Sequence, residues 1–225
     1  MTSHSEVRHR APLMLLMVVL MSCAAMSGCN IVGPIFFFVA GPPKYDAEFV
    51  LPKDRATVIF IDDPRSQIPR RALRVTMVEA AEKQFLEKGL VDDLVGGQSA
   101  LHVAQSDRSG GQLSVAEIGR AVDAEVVVWV TVDSFVRADV STNNEPSISF
   151  RVRVVDAADN QVLWPSSPEG RSMTVRLSSR IGSVANDAGA QSTMELKMAK
   201  NAGLALSQLF YKHLTTAHAA EDRSI

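Results

Sequence analysis

The run Val126-Val-Val-Trp-Val-Thr-Val132 restricts the fold more than any other segment of the chain. β-Branched side chains are stiff at χ1 and pack well on a pleated surface. A strand of this kind, expected over 125–136, belongs in the middle of a sheet. The rest of the chain must therefore supply flanking strands and helices.

Both are legible. Residues 56–62, a β-branched run bounded by charge and by Pro64, predict a largely buried strand. Ile148, Phe150, Val152 and Val154 alternate with Ser149, Arg151 and Arg153, which predicts a strand with one wet face. Asp156-Ala-Ala-Asp-Asn160 carries turn chemistry ahead of short strands at 161–164 and 173–177. A further short strand is expected at 100–104, between Gly96-Gly97 and Gly110-Gly111, which read as loop hinges.

Three helices are expected. Ser66 is read as the cap of one that begins near Pro69 and ends at Lys88, with Val75, Val78, Ala81, Phe85 and Leu86 facing inward. Ser114-Val-Ala-Glu117 matches a capping box and opens a short helix over 115–122. Ser192-Thr-Met-Glu195 matches a second box opening the last helix, which places Ala199, Ala202, Leu206, Leu209 and Phe210 on one face to about His213. The sum is an α+β, α/β-like fold with a single mixed sheet of about four or five strands and about three flanking helices.

The amino terminus has a different character. Arg8, His9 and Arg10 precede an apolar run and then the small-residue stretch Ser22-Cys-Ala-Ala-Met-Ser-Gly-Cys29, the order of a secretory signal. Small side chains at Ser27 and Gly28 let a peptidase approach the backbone, and the Cys29 thiol is a nucleophile for lipid attachment. Cys23, after Leu20-Met-Ser22, is the alternative lipidation site. An uncleaved membrane anchor within 11–40 competes with this reading, although Asn30, Gly33 and Pro34 weaken it. The expected organisation is a signal segment at 1–28, a lipid-anchored tether at 29–54, a domain at 55–214 and a polar tail at 215–225. Both cysteines of the chain lie in the first two parts, so the domain must fold without a disulfide.

The signal segment resembles a lipoprotein signal peptide with its lipobox at Met26-Ser-Gly-Cys29, where Met26 replaces the usual Leu. The order of elements, carried by 56–62, by Ile118-Gly-Arg-Ala-Val-Asp-Ala-Glu-Val-Val-Val128 and by the hairpin pattern of 150–164, resembles a group of bacterial envelope lipoproteins. That group includes the curli-secretion lipoprotein CsgG, the penicillin-binding-protein activator LpoB and the amino-terminal domain of TolB. The resemblance implies a periplasmic location and work done by binding other envelope proteins. No long amphipathic hairpins lie between Val132 and Leu177, which argues against pore formation, and no propeller follows.

Chemistry is sparse. With Lys and Arg at 23 against Asp and Glu at 25, the chain lacks the basic excess of a nucleic-acid binder. Asp62 and Asp63 stand where a strand should end, a place where sheets expose functional groups, but no patterned His or Cys completes acid–base or metal chemistry; strand termination is the simpler role. His102, His213 and His218 are too scattered for a zinc site. Arg65, Arg70, Arg71 and Arg74 cluster at a helix start, where the dipole disfavours cations, and could meet lipid phosphates, cell-wall carboxylates or an acidic partner. Trp129 reads as core and Trp164 as strand-end packing or a partner anchor. No catalytic residue, metal or cofactor is implied. The expectation is a non-enzymatic, lipid-anchored periplasmic binding or assembly module, favouring the outer membrane because Asn30 rather than Asp follows Cys29. Its partners would be the membrane, through the lipid, and an envelope protein. Self-assembly into a structural subunit is the first alternative, and a hydrolase using Asp62 and Asp63 is the second.

Overall fold

The computed structural model describes residues 44–106, 113–137, 145–177 and 188–214. The expectations for the signal segment, Cys23, Cys29, Gly110-Gly111, His218 and the tail lie outside these residues.

The central run does what its composition demands. Strand β4 (Val126–Val136) lies between β2 (Thr57–Asp62), its parallel partner, and β5 (Ser147–Asp156), its antiparallel partner. A two-residue strand, β3 (Leu94–Val95), extends the sheet in parallel beyond β2. On the other side β6 (Val162–Trp164) and β7 (Arg171–Arg176) pair with successive stretches of β5, giving a mixed six-stranded sheet.

Helix α1 (Arg71–Glu87) carries the chain from β2 to β3; α2 (Gly97–Ser106) and α3 (Val115–Ala121) carry it back across β2 to β4. The two crossovers run in opposite directions, and the right-handedness general to parallel strand–helix–strand connections then puts their helices on opposite faces. On one face Ile59, Ile61, Val128, Val130, Val152 and Val154 are all fully buried, under α1 and α4 (Ala188–Gln208). At Gly203 the two helices approach so closely that an added Cβ would stand 2.2 Å from the Met77 carbonyl oxygen. The other face carries Phe60, Trp129 and Arg153 in register, with Thr131, Asp133 and Arg151 further along. The shorter α3 covers only its near end, through Gly119 against Val127.

A small second sheet pairs β1 (Lys44–Tyr45) with β8 (His213–Leu214). The amides of Glu48 and Phe49 both donate to the Leu209 carbonyl, and Leu51 is buried. Residues 44–51 are thus packed with the domain.

Several local expectations are corrected. Residues 100–104 are helical, and Gly97 opens that helix instead of acting as a hinge: its amide donates to Glu82 Oε1 at 2.6 Å, and a Cβ would stand 2.3 Å from the Ile59 carbonyl oxygen. Ser66 does not cap α1. The residue ahead of the helix is Arg70, which makes no side-chain cap, while Asp63 takes the amides of Gln67 and Ile68 at 2.7 and 2.9 Å. Leu86 points to solvent, and Leu73 and Met77 join Val78, Ala81 and Phe85 inside. Ser192 and Glu195 are no capping box: α4 already begins at Ala188, and both side chains take Arg70. The helix ends at Gln208, yet all five expected inward residues of this segment are buried. The box at Ser114 and Glu117 is present as expected, with both reciprocal bonds formed.

Candidate functional site

Chain leaves β2 for α1 on one face and β3 for α2 on the other, so a crevice opens at the carboxyl end of β2, between the diverging connections. It is a cleft of about 890 Å³. Phe60, Leu101, Ile118, Trp129 and Val155 make its apolar walls, and Asp62, Arg74, Gln105 and Asn160 are among its polar groups. A mixed lining of this size has the character of small-molecule sites, which are mostly apolar with a few placed polar groups.

Each polar group reaches the cleft for a local reason. Asp62 ends β2 and is half-buried; it is engaged within the protein. Asp63 follows it, 4% exposed, with its carboxylate held by the two backbone amides of the next turn, so its role is to shape the loop. Arg74 projects from the first turn of α1. Its Nε is buried without a hydrogen-bond partner, and among the described residues no carboxylate pairs with its guanidinium. The Trp129 indole Nε1 is likewise buried without a partner. The Trp129 ring lies half-buried on the wet face, with the Arg153 guanidinium 5.1 Å above its centroid, and so is not fully in the core as expected.

The arginine cluster does not act as one group. Arg70 donates to Ser192 Oγ at 2.9 Å and to Glu195 Oε2 at 2.7 Å; Arg65 and Arg71 are exposed; only Arg74 lines the cleft. Trp164 is not among the lining residues of the cleft, although Val162 of the same strand is; its ring lies 5.9 Å from Phe49 and 6.1 Å from Phe210. His102 is exposed on α2, and His213 Nδ1 meets the Tyr211 carbonyl oxygen. No histidine or cysteine lies among the described lining residues.

Sequence reasoning named Asp62, Asp63 and Arg74 but not Phe60, Gln105 or Asn160. One signal was present: Trp129 falls in phase with Thr131 and Asp133, on the half of β4 that faces polar neighbours.

No protein-family model matches the chain, and no curated protein matches it. Among solved structures it is similar to the PelC dodecamer from Paraburkholderia phytofirmans, at 14% identity over 76% of this chain and 97% of that one, with a TM-score of 0.38. It is also similar to lipoprotein GNA1162 from Neisseria meningitidis, at 13% identity over 65% and 96%, TM-score 0.38. A third is the LpoB carboxyl-terminal domain from Salmonella enterica, at 14% identity over 56% and 85%, TM-score 0.32.

Proposed function

We propose that the protein is a lipid-anchored binding or assembly module of the bacterial cell envelope, held through Cys29 with its domain in the periplasm and doing no catalysis of its own. The outer membrane is the favoured site, since Asn30 follows the lipidated residue. An acyl chain contributes on the order of 0.8 kcal/mol per buried methylene, so two or three chains hold such a protein without a spanning helix.

The observation that carries the reading is where residues 44–51 pack on the domain. Lys44–Tyr45 pair with His213–Leu214, the Lys88 ammonium lies over the Tyr211 ring, and Phe85 meets Phe210; all of these stand at the carboxyl end of α1. Arg74 and the Asp62–Ser66 rim of the cleft stand at its amino end, while Val155, Asn160 and Val162 of the lining lie on β5, β6 and the turn between them. The 17 residues of α1 separate its two ends by roughly 25 Å at 1.5 Å per residue. The Asp62–Ser66 rim, with exposed Arg65 and Arg71 near Arg74, is thereby left apart from the paired Lys44–Tyr45 strand as a surface for a partner.

The test is mass spectrometry of the amino-terminal peptide from membrane fractions. The expected result is a mature chain beginning at acylated Cys29, membrane release on Cys29→Ala and retention on Cys23→Ala. An unlipidated chain that keeps residues 1–28 would overturn the reading.

A further inference from the structure

Arg74 is a half-buried cation whose Nε has no hydrogen-bond partner and which pairs with no carboxylate among the described residues. Buried charge is ordinarily paired, and a buried donor left without an acceptor carries the full desolvation penalty of that group, so a native protein that keeps one has a reason for it. Here two such donors, Arg74 Nε and Trp129 Nε1, belong to side chains that line one cleft. The acids nearby do not neutralise Arg74. Asp63 is spent on the Gln67 and Ile68 amides, and Asp62 has an engagement of its own. The neighbouring arginines behave differently: Arg70 is paired with Glu195, and Arg65 and Arg71 are hydrated at the surface.

We propose that the cleft at the end of β2 binds a small amphiphilic oxyanion, a carboxylate or phosphate ester whose charged head sits on the Arg74 guanidinium and whose flat or aliphatic body lies against Phe60, Trp129 and Val155. A planar guanidinium matches an oxyanion through two parallel N–H donors, and such charge-assisted bonds are about twice as strong as neutral ones. The apolar wall supplies affinity, and the head supplies discrimination. The proposal deepens the binding-module reading by giving it a ligand class, and it rests on that reading only for the ligand's place in the envelope.

The test titrates the full chain in lipid nanodiscs with 2-naphthoate and with its uncharged analogue 2-naphthamide, following the indole N–H signals of Trp129 and Trp164. The expected result is a saturable shift of the Trp129 signal alone. Binding of 2-naphthamide should be weaker by about tenfold or more, the worth of one charge-assisted contact. Arg74→Gln should abolish that preference, while Arg71→Gln, outside the cleft, should keep it. Equal binding of the two probes, no saturable Trp129 shift at millimolar concentrations, or an equal loss in Arg71→Gln would each overturn the proposal. Where Arg74→Gln loses the Trp164 signal by unfolding, the two probes on the unaltered chain still decide. A chain that binds 2-naphthoate but carries no lipid on Cys29 sinks the anchor and leaves this site standing; a lipidated chain that does not discriminate sinks the site alone.

Discussion

Glu195 accepts a hydrogen bond from Arg70 at 2.7 Å across 125 positions of sequence, through a carboxylate only 7% exposed. Arg137 reaches the second oxygen of the same carboxylate at 3.0 Å. One buried acid thus ties the start of α1, the end of β4 and the first turns of α4 together. Breaking a buried ion pair typically costs about 3–5 kcal/mol, but both arginines are about half exposed and can return to water. Glu195→Gln should therefore lower stability by about 1–2 kcal/mol in urea unfolding. No change in midpoint would mean that the pair is formed at no net gain.

The crossing of α1 and α4 depends on the missing side chain of Gly203. A Cβ there meets the Met77 carbonyl oxygen at 2.2 Å, Ala80 Cβ at 2.9 Å and Ala81 N at 3.1 Å, and helix backbone cannot swing aside as a side-chain tip can. Gly203→Ala gains about 0.5–1 kcal/mol of helix propensity and loses about 1–3 kcal/mol to overpacking, so the net sign is destabilising. Gly96, with nothing within 4 Å of a built Cβ, is the matched control and should tolerate Ala within about 0.5 kcal/mol. A Gly203→Ala protein as stable as the Gly96→Ala protein would show that the two helices slide freely.

Phe49 fastens the segment that precedes the main sheet. Its ring stacks 5.9 Å from Trp164, which in turn meets Phe210, and the amides of Glu48 and Phe49 share the Leu209 carbonyl. Phe49→Ala should cost about 1–2 kcal/mol, less than a fully buried aromatic because Phe49 is only half covered. The more specific readout is hydrogen exchange. The Glu48 and Phe49 amides should accelerate by more than the amides of β4, which open only with global unfolding. Uniform acceleration would place this segment within the main cooperative unit.

The sequence was most legible where structure is decided within a few residues. The valine run could only be a central strand, the alternation of 148–154 could only be a half-wet one, and Ser114 with Glu117 closes its bonds over three positions. It misled where distant groups decide. Ser192 and Glu195 have the spacing of a capping box, but their partner is Arg70 on another helix. The apolar stretch at 100–104 is too short for periodicity to distinguish strand from helix; Glu82, fifteen positions before Gly97, settles it by taking the first amide. The cleft was invisible for the same reason: its lining comes from β2, α1, α2, α3, β4 and the β5–β6 turn, and only the crossover geometry brings them together.

That same Glu82 contact, set beside Asp156, predicts opposite responses to pH. Burial raises the Glu82 carboxyl above its ordinary 4.5, with the Gly97 amide opposing and Glu79 adding to the rise. A raised carboxyl binds more protons when folded, so its contribution is fully present below pH 4.5 and is lost as pH climbs through the raised value. Glu82→Gln keeps an acceptor for Gly97 without that loss, so the variant should gain on the parent protein as pH rises toward neutrality. Asp156 behaves inversely. The hydrogen bond from Arg55, reinforced by the Ala158 amide, holds its carboxyl below the ordinary 3.8. Its stabilisation is present above 3.8 and disappears as pH falls through the lowered value. Asp156→Asn should therefore be less stable than the parent at neutral pH and converge with it in acid. Urea midpoints measured from acid to neutral pH distinguish the two. Parallel curves for Glu82→Gln and the parent would mean that the Glu82 carboxylate is hydrated, and a constant gap for Asp156→Asn would mean that Arg55 holds no charge there.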